Sequence, residues 1–95
     1  MIEITRFRPA PGVDEATLVA ANRRVQEEFH ADTPGLLGRT VARGEDGSWI
    51  MICLWRSDAD ADDADARWER HELRRPILAL LDSSSVSVER YQELD

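Results

Sequence analysis

The sequence contains no lysine and only one cysteine, and each shortage argues against a class of function. A single thiol, Cys53, forms no intrachain disulfide and no cysteine-based zinc site, which favours a reducing compartment. All 12 basic residues are arginines, and 19 acidic residues outnumber them, which gives a net charge of −7. Nucleic acids and anionic membranes are bound by clustered basic side chains, so the sequence predicts neither kind of partner.

The sequence begins without a signal-peptide pattern and contains no long hydrophobic run, so we expect neither a secretory signal nor a membrane span. Met1 leads directly into an alternating segment, with no basic stretch followed by an apolar one. The longest apolar run, Trp49–Trp55, is far shorter than the roughly 20 residues that span a membrane. We therefore expect a cytoplasmic protein, and expect residues 1–95 to form a single domain.

Hydrophobic periodicity predicts four strands and two long helical segments. Alternating and β-branched residues predict strands over 2–8, 36–43, 49–55 and 85–91. An amphipathic helix is predicted from a cap at Asp14 to about residue 31, because apolar residues recur there at steps of three and four. Its inward stripe comprises Leu18, Ala21, Val25 and Phe29.

The second helical segment is predicted to begin after Ser57 or Asp58, either of which can cap it. Its inward stripe would comprise Ala61, Ala64, Trp68 and His71 or Glu72. Pro76 is predicted to open a short last helix holding Ile77, Leu80 and Leu81. Ser83 and Ser84 are predicted to form the break before strand four.

The element order β-α-β-β-α-β predicts a ferredoxin-like α+β fold with a four-stranded antiparallel sheet. Right-handed crossovers place both helices on one sheet face. The third strand is apolar on both sides, with Trp49, Met51, Cys53 and Trp55 alternating with Ile50, Ile52 and Leu54. One helix layer covers only one face, so the other is predicted to pair with a second copy, giving a homodimer through the sheet face.

The pattern leaves open which side of the third strand meets the helices. The pairing argument takes the side of Trp49 and Met51 as the exposed one. The candidate site described below takes the same side as a cavity wall.

Several motifs in this order resemble a known family. The first strand ends in Arg8-Pro9-Ala10-Pro11-Gly12, Thr33-Pro34-Gly35-Leu36-Leu37 leads into the second, and Trp55-Arg56-Ser57 closes the third. Together with the Ala/Asp-rich helix holding His71 and the last strand reaching Tyr91, they resemble the dimeric α+β barrel superfamily. Within it, the chain is most similar to antibiotic biosynthesis monooxygenase-like domains. That superfamily includes cofactor-independent quinone-forming monooxygenases and haem-degrading enzymes.

The resemblance implies a cofactor-independent monooxygenase that acts on a small aromatic or polyketide-like compound. His71 and Tyr91 are then the predicted catalytic residues, which would handle protons. The predicted substrate-binding residues are Trp55, Trp68, Thr5, Phe7, Arg39 and Met51. Haem degradation is disfavoured, because Thr5 stands where that branch carries asparagine. The cofactor-free oxygenases also carry a cavity asparagine, whereas the only asparagine here, Asn22, lies on the first helix.

The same residues also fit purely structural roles. His71 can be a partly buried residue near a helix end, Arg39 can be an edge-strand charge that blocks aggregation, and Cys53 is expected to be buried and inert. Asp58, Asp60, Asp62 and Glu69 match ligand positions of a calcium loop, but Asp63 stands where that loop needs glycine, so we predict no metal. A non-catalytic small-molecule-binding or accessory homodimer is the alternative function, and a purely structural dimer is the third.

Overall fold

A computed structural model describes residues 1–95 and confirms the ferredoxin-like α+β fold. The four strands form one antiparallel sheet in the order β2-β3-β1-β4. They are β1 (Ile2–Pro9), β2 (Leu36–Arg43), β3 (Trp49–Trp55) and β4 (Leu81–Tyr91). The α-helices are α1 (Glu15–Glu28), α2 (Asp58–Trp68) and α3 (Arg74–Leu78), and a short 3-10 helix spans His30–Asp32. None of these helices has the length and apolar character that a membrane span requires.

Both ends of α1 are fixed by side-chain hydrogen bonds. The Asp14 carboxylate caps the first turn, accepting from the Thr17 backbone N–H at 2.9 Å. The helix ends at Glu28, about three residues earlier than predicted, and the chain tightens into the 3-10 helix. There the buried Thr33 hydroxyl donates to the Phe29 carbonyl at 2.7 Å. This bond satisfies one carbonyl that the end of α1 leaves without an intrahelical partner.

Gly35 allows the start of β2 to lie against the start of α2. Its φ is +81°, and a Cβ there would lie 2.3 Å from Cγ of Asp60. Asp60 belongs to the first turn of α2, where its backbone N–H is capped by the Ser57 hydroxyl. The acidic run after Ser57 is therefore helical, and no group of three or more His, Cys, Asp or Glu side chains is placed to hold a metal ion.

The second helical segment is shorter than predicted. It stops at Trp68, and His71 lies in the following turn, where its Nδ1 accepts from the Leu73 backbone N–H at 3.1 Å. The helix α3 starts at Arg74, so Pro76 is its third residue and not its first. A first-turn residue needs no backbone N–H, so the proline is tolerated there. Leu80 and Leu81 lie beyond the end of α3, contrary to the prediction.

Strand β4 begins at Leu81 and continues through the serines that were predicted to interrupt it. Its pairing with β1 shifts between Arg6, opposite Ser87, and Arg8, opposite Asp82. In this irregular stretch the Ser84 N–H donates to the Asp82 carboxylate, and the Arg8 N–H donates to the Ser85 hydroxyl at 2.8 Å. Side-chain acceptors thus replace ladder hydrogen bonds, which lets the strand carry a bulge without ending.

The tryptophan side of β3 faces the helices. Cys53 and Trp55 pack with Ala61 and Ala64 of α2, whose small side chains let the helix lie close to the sheet. Trp49 is buried as well. The interpretation that placed Trp49 and Met51 on the exposed face is therefore wrong, because the helices cover that side.

The opposite sheet face carries an aliphatic patch. It comprises Ile2, Ile4, Ile50, Ile52 and Leu54, which are all half-buried. The register brings β1 and β3 together there, with Ile4 opposite Ile52 and Ile2 opposite Leu54. At its margin the Arg6 guanidinium pairs with the Glu89 carboxylate at 3.3 Å. The apolar surface predicted for the uncovered face is present, but it is built from isoleucine and leucine.

Candidate functional site

A cavity of about 290 Å³ lies between the sheet and the helices. All four strands contribute residues to its floor, and α1, α2 and α3 contribute residues to its walls. Of its 24 lining residues 18 are hydrophobic, and the six polar ones are Glu3, Thr5, Asn22, His30, Arg39 and Asp65. Mostly apolar walls with a few polar groups are typical of a small-molecule site.

All six residues predicted to bind substrate line this one cavity. They are Thr5, Phe7, Arg39, Met51, Trp55 and Trp68. Alternation along the strands explains the grouping, because Thr5 lies opposite Met51 and Phe7 lies opposite Trp49 in the β1–β3 register. The binding role of these residues stays a prediction, whereas their common location is a structural observation.

The two predicted catalytic residues, His71 and Tyr91, lie outside this cavity. Tyr91 lies opposite Ile2 on the other sheet face, and its hydroxyl donates to Glu89 at 2.6 Å, a hydrogen bond that raises the pKa of Tyr91. His71 is not among the cavity residues, and its Nδ1 is engaged by the Leu73 N–H. The structure therefore brings neither side chain to the cavity, and their catalytic roles stay predictions.

An aromatic cluster holds the end of the cavity near α1. The Phe29 ring makes edge contacts with Trp68, His71 and His30 at centroid distances of 5.1, 5.2 and 5.1 Å. His71 stacks on Trp68 at 5.8 Å. His71 thus supports a cavity wall from behind, because it packs against Trp68 and Phe29 without facing the cavity itself.

The orientation of Trp55 is set by a buried carboxylate. Its indole Nε1 donates to Glu3 Oε1 at 3.3 Å, and Arg90 Nε donates to Glu3 Oε2 at 3.0 Å. The same guanidinium reaches Asp62 at 2.8 Å and Asp65 at 3.2 Å on α2. Glu3 is only 6% exposed, so it needs these partners, and in return they tie β1, β3, β4 and α2 together around the tryptophan.

Arg39 differs from every other arginine of the chain. It is the only one that is half-buried, since the others are all exposed. One terminal nitrogen donates to Asn22 Oδ1, but its buried Nε has no hydrogen-bond partner. No ion pair of the protein includes Arg39. Burial lowers the pKa of Arg39, because the guanidinium loses water without gaining a carboxylate.

His30 lines the same end of the cavity. Its buried Nδ1 has no hydrogen-bond partner. Burial first, and the positive charge of Arg39 second, lower the pKa of His30 from 6.5 to about 4. The imidazole is therefore neutral near neutral pH, with one ring nitrogen free to accept a proton or a hydrogen bond.

The depressed pKa of His30 predicts a loss of stability in acid. Between about pH 6.5 and about pH 4 the unfolded chain binds a proton at His30 and the folded chain does not, so stability falls as the pH falls through this window. Between about pH 7 and about pH 4.5, the unfolding free energy should fall by about 2 kcal/mol less in His30→Gln than in wild type. Urea unfolding at the two pH values measures this difference, and equal losses in both proteins would contradict the assignment.

Cys53 offers no nucleophile to the cavity. It is 1% exposed, and burial raises the pKa of its thiol to about 11. The thiol therefore stays protonated, as expected for a buried cysteine between two aliphatic neighbours.

The cavity opens at the β4 side of the molecule. Among its lining residues only Asp65, Leu78, Val86 and Val88 are exposed, and they lie on α2, α3 and β4. Arg39 and His30 lie at the other side, on β2 and in the 3-10 helix after α1. A compound that enters past the valines would thus meet Arg39 and His30 last.

The sequence did not identify Asn22, His30 or the exposed residues at the cavity opening as part of the site. A signal existed for Asn22, which follows Leu18 by four residues and precedes Val25 by three, within the inward stripe of α1. None existed for His30, because it lies past the last turn of α1, where helical periodicity no longer says which way a side chain points.

No protein-family model matches the sequence, and no curated protein is similar to it. Solved structures do share its fold. A variant of SnoaB, a cofactor-independent oxygenase from Streptomyces nogalater, superposes with a TM-score of 0.78 at 19% identity, over 99% of this chain and 92% of that one. An antibiotic biosynthesis monooxygenase gives 0.79 at 17% identity, with both chains covered in full. A proposed antibiotic biosynthesis monooxygenase from Bordetella bronchiseptica gives 0.81 at 18% identity, covering 98% of this chain and 95% of that one.

These likenesses extend over nearly the whole chain, while fewer than one residue in four is identical. At that distance a structural match establishes the fold and leaves the activity to be argued from the site. The chain has the ferredoxin-like α+β fold of antibiotic biosynthesis monooxygenase-like domains, as its sequence motifs indicated.

Proposed function

We propose that this chain is a cytoplasmic, homodimeric, cofactor-independent monooxygenase that acts on a small aromatic or polyketide-like compound. The observation that carries the proposal is the cavity, whose walls include three tryptophans and whose inner end holds one cation and one neutral histidine. Flat apolar walls favour an aromatic body. The oxygenase named among the structures of the same fold supports the reaction type.

The reaction class fits the few polar groups that the cavity offers. When a substrate methylene becomes a carbonyl, one atom of O2 enters the substrate and the other leaves as water with the two hydrogens of the methylene. The substrate supplies all four electrons that reduce O2, so the protein has to remove a proton, stabilise the anion that results and exclude water. His30 can accept the proton, Arg39 can face the anion, and the apolar walls can keep water out.

The aliphatic patch supports the homodimer. Five neighbouring aliphatic side chains without a covering helix are the kind of surface that usually marks an interface. Two copies that pair through this face leave both cavities free, because each cavity lies on the helix side of its own sheet. The predicted partner is therefore a second copy, and the predicted ligand is a small molecule.

A blocked mouth tests whether the cavity is the site of turnover. Val88 is 57% exposed at the cavity rim, so Val88→Trp should narrow the entrance without disturbing the core. With a panel of phenols and hydroxylated polycyclic ketones, we expect oxygen uptake and transfer of one 18O atom from O2 to product. The Val88→Trp variant should lower kcat/KM about tenfold, a change of about 1.4 kcal/mol.

The matched control is Ala20→Trp, which adds the same side chain at an exposed position of α1 outside the cavity. It should leave kcat/KM unchanged. Equal losses in both variants would contradict the cavity as the site. Saturable binding of the same compounds without oxygen uptake or product would favour the alternative, a non-catalytic binding protein of the same fold.

A further inference from the structure

Arg39 is a positive charge that the protein leaves without a negative partner. The chain has 19 acidic residues, and six other arginines are paired with carboxylates, among them Arg43 on the same strand. Arg39 is the only arginine that is half-buried as a whole residue, yet its one hydrogen-bond acceptor is the neutral amide oxygen of Asn22. A half-buried guanidinium of this kind is costly unless something outside the chain compensates it.

The two carboxylates of the cavity do not provide that compensation. Glu3 on β1 and Arg39 on β2 both lie opposite Cys53, on either side of strand β3. Two strand spacings therefore separate the backbones of Glu3 and Arg39, a distance of about 10 Å. Glu3 is already held by Arg90 and Trp55. Asp65 lies at the exposed mouth and also pairs with Arg90. Both carboxylates of the cavity thus lie at its Arg90 side, where they share one guanidinium, and neither of them pairs with Arg39 at the other side.

Two hydrogen-bonding groups at the Arg39 end of the cavity also lack partners. Arg39 Nε and His30 Nδ1 are the only two buried side-chain polar atoms of the protein without a partner, and both belong to residues of this cavity. Two orphaned polar atoms on neighbouring cavity residues indicate a place where a polar ligand atom belongs. The cation beside them selects an atom that carries negative charge.

We propose that the cavity binds its aromatic or polyketide-like ligand as an oxyanion, an ionised phenol or enol oxygen, with Arg39 as the counter-ion and the neutral His30 donating an N–H to the same oxygen. This inference rests on the proposed function for the identity of the ligand and adds its charge state. Arg39 would thereby determine specificity, favouring compounds with an acidic hydroxyl over the corresponding ethers. The apolar body of the ligand would lie against Met51 and Trp55.

The sign of a ligand pKa shift tests the proposal with 4-nitrophenol, whose ionised form absorbs visible light. An apolar cavity alone raises the pKa of a bound phenol, whereas a guanidinium counter-ion lowers it by about one unit or more. We expect wild type to lower the pKa of bound 4-nitrophenol and Arg39→Met to raise it or leave it unchanged. Arg39→Lys, which keeps the charge, should restore part of the shift.

The matched control is Arg23→Met, which removes an exposed arginine and the same formal charge from α1. It should bind and ionise 4-nitrophenol like wild type. A bound pKa at or above that of free 4-nitrophenol in wild type would overturn the proposal, and so would the wild-type shift in a folded Arg39→Met variant. Absence of saturable binding at millimolar concentration would overturn it too. The readout needs no turnover. A protein that ionises 4-nitrophenol but takes up no oxygen with the panel of phenols and hydroxylated polycyclic ketones would therefore refute only the monooxygenase proposal.

Discussion

His30→Gln should lower kcat for the oxygenation about 100-fold while leaving KM nearly unchanged. A positioned base contributes roughly 100-fold or more to a proton-transfer step, and glutamine keeps a polar group of similar size that cannot accept the proton. His30 is placed for the role because it lines the cavity with an unpartnered Nδ1, and its lowered pKa keeps the imidazole unprotonated near neutral pH. Steady-state kinetics of oxygen uptake measures the effect.

The matched comparison is His71→Gln, the histidine that the sequence favoured. The structure places His71 behind Trp68 and outside the cavity, with its Nδ1 occupied by the Leu73 N–H. We expect His71→Gln to lose some thermal stability and to keep kcat within about twofold of wild type. The reverse result, with His71→Gln inactive and His30→Gln active, would show that the sequence prediction was right and that the cavity base is misassigned.

Ile52→Glu should convert the dimer into monomers. Ile52 lies near the centre of the aliphatic patch, opposite Ile4 on one side and Thr40 on the other. In a symmetric pair of sheets the substitution places two carboxylates in one apolar interface, where burying an unpaired charge costs several kcal/mol. The dimer dissociation constant should rise by about 1,000-fold or more, a change of about 4 kcal/mol.

Sedimentation equilibrium over a wide concentration range measures this change. Wild type should sediment at twice the 10.8 kDa chain mass, and Ile52→Glu at the chain mass itself. The control Ala20→Glu introduces the same charge at an exposed position of α1 and should remain dimeric. Wild type that sediments as a monomer at high concentration would refute the dimer, and the aliphatic patch would then need another explanation.

The sequence was sufficient to predict the sheet. Strands β2 and β3 have the predicted boundaries, because alternation is strong there and Gly35, Gly44 and Gly47 mark the turns. The extent of β4 could not be predicted, since three consecutive serines continue a strand only when a neighbouring group such as Asp82 accepts their hydrogen bonds. That information is tertiary and is absent from local propensity.

The candidate site, like the sheet, was predictable from the sequence only in part. Strand alternation accounts for the substrate-binding predictions on the strands, because it groups Thr5, Met51 and the other inward residues once one of them is placed. Trp68 lies on α2, and its prediction came from the family resemblance. The same alternation separates Tyr91 from Val88, which lie at an odd spacing on β4 and therefore on opposite faces. His30 lies outside any periodic element, so only a structure could show that it lines the cavity.

The two faces of strand β3 allow a direct test of where a ligand binds. Met51 lines the cavity and the adjacent Ile52 lies on the aliphatic patch, so their methyl groups report on opposite sides of the sheet. Intermolecular NOEs from the ring protons of bound 4-nitrophenol should reach the methyl groups of Met51 and Val88. NOEs to Ile4 and Ile52, with none to Met51, would place the ligand on the other face and contradict the cavity as the functional site.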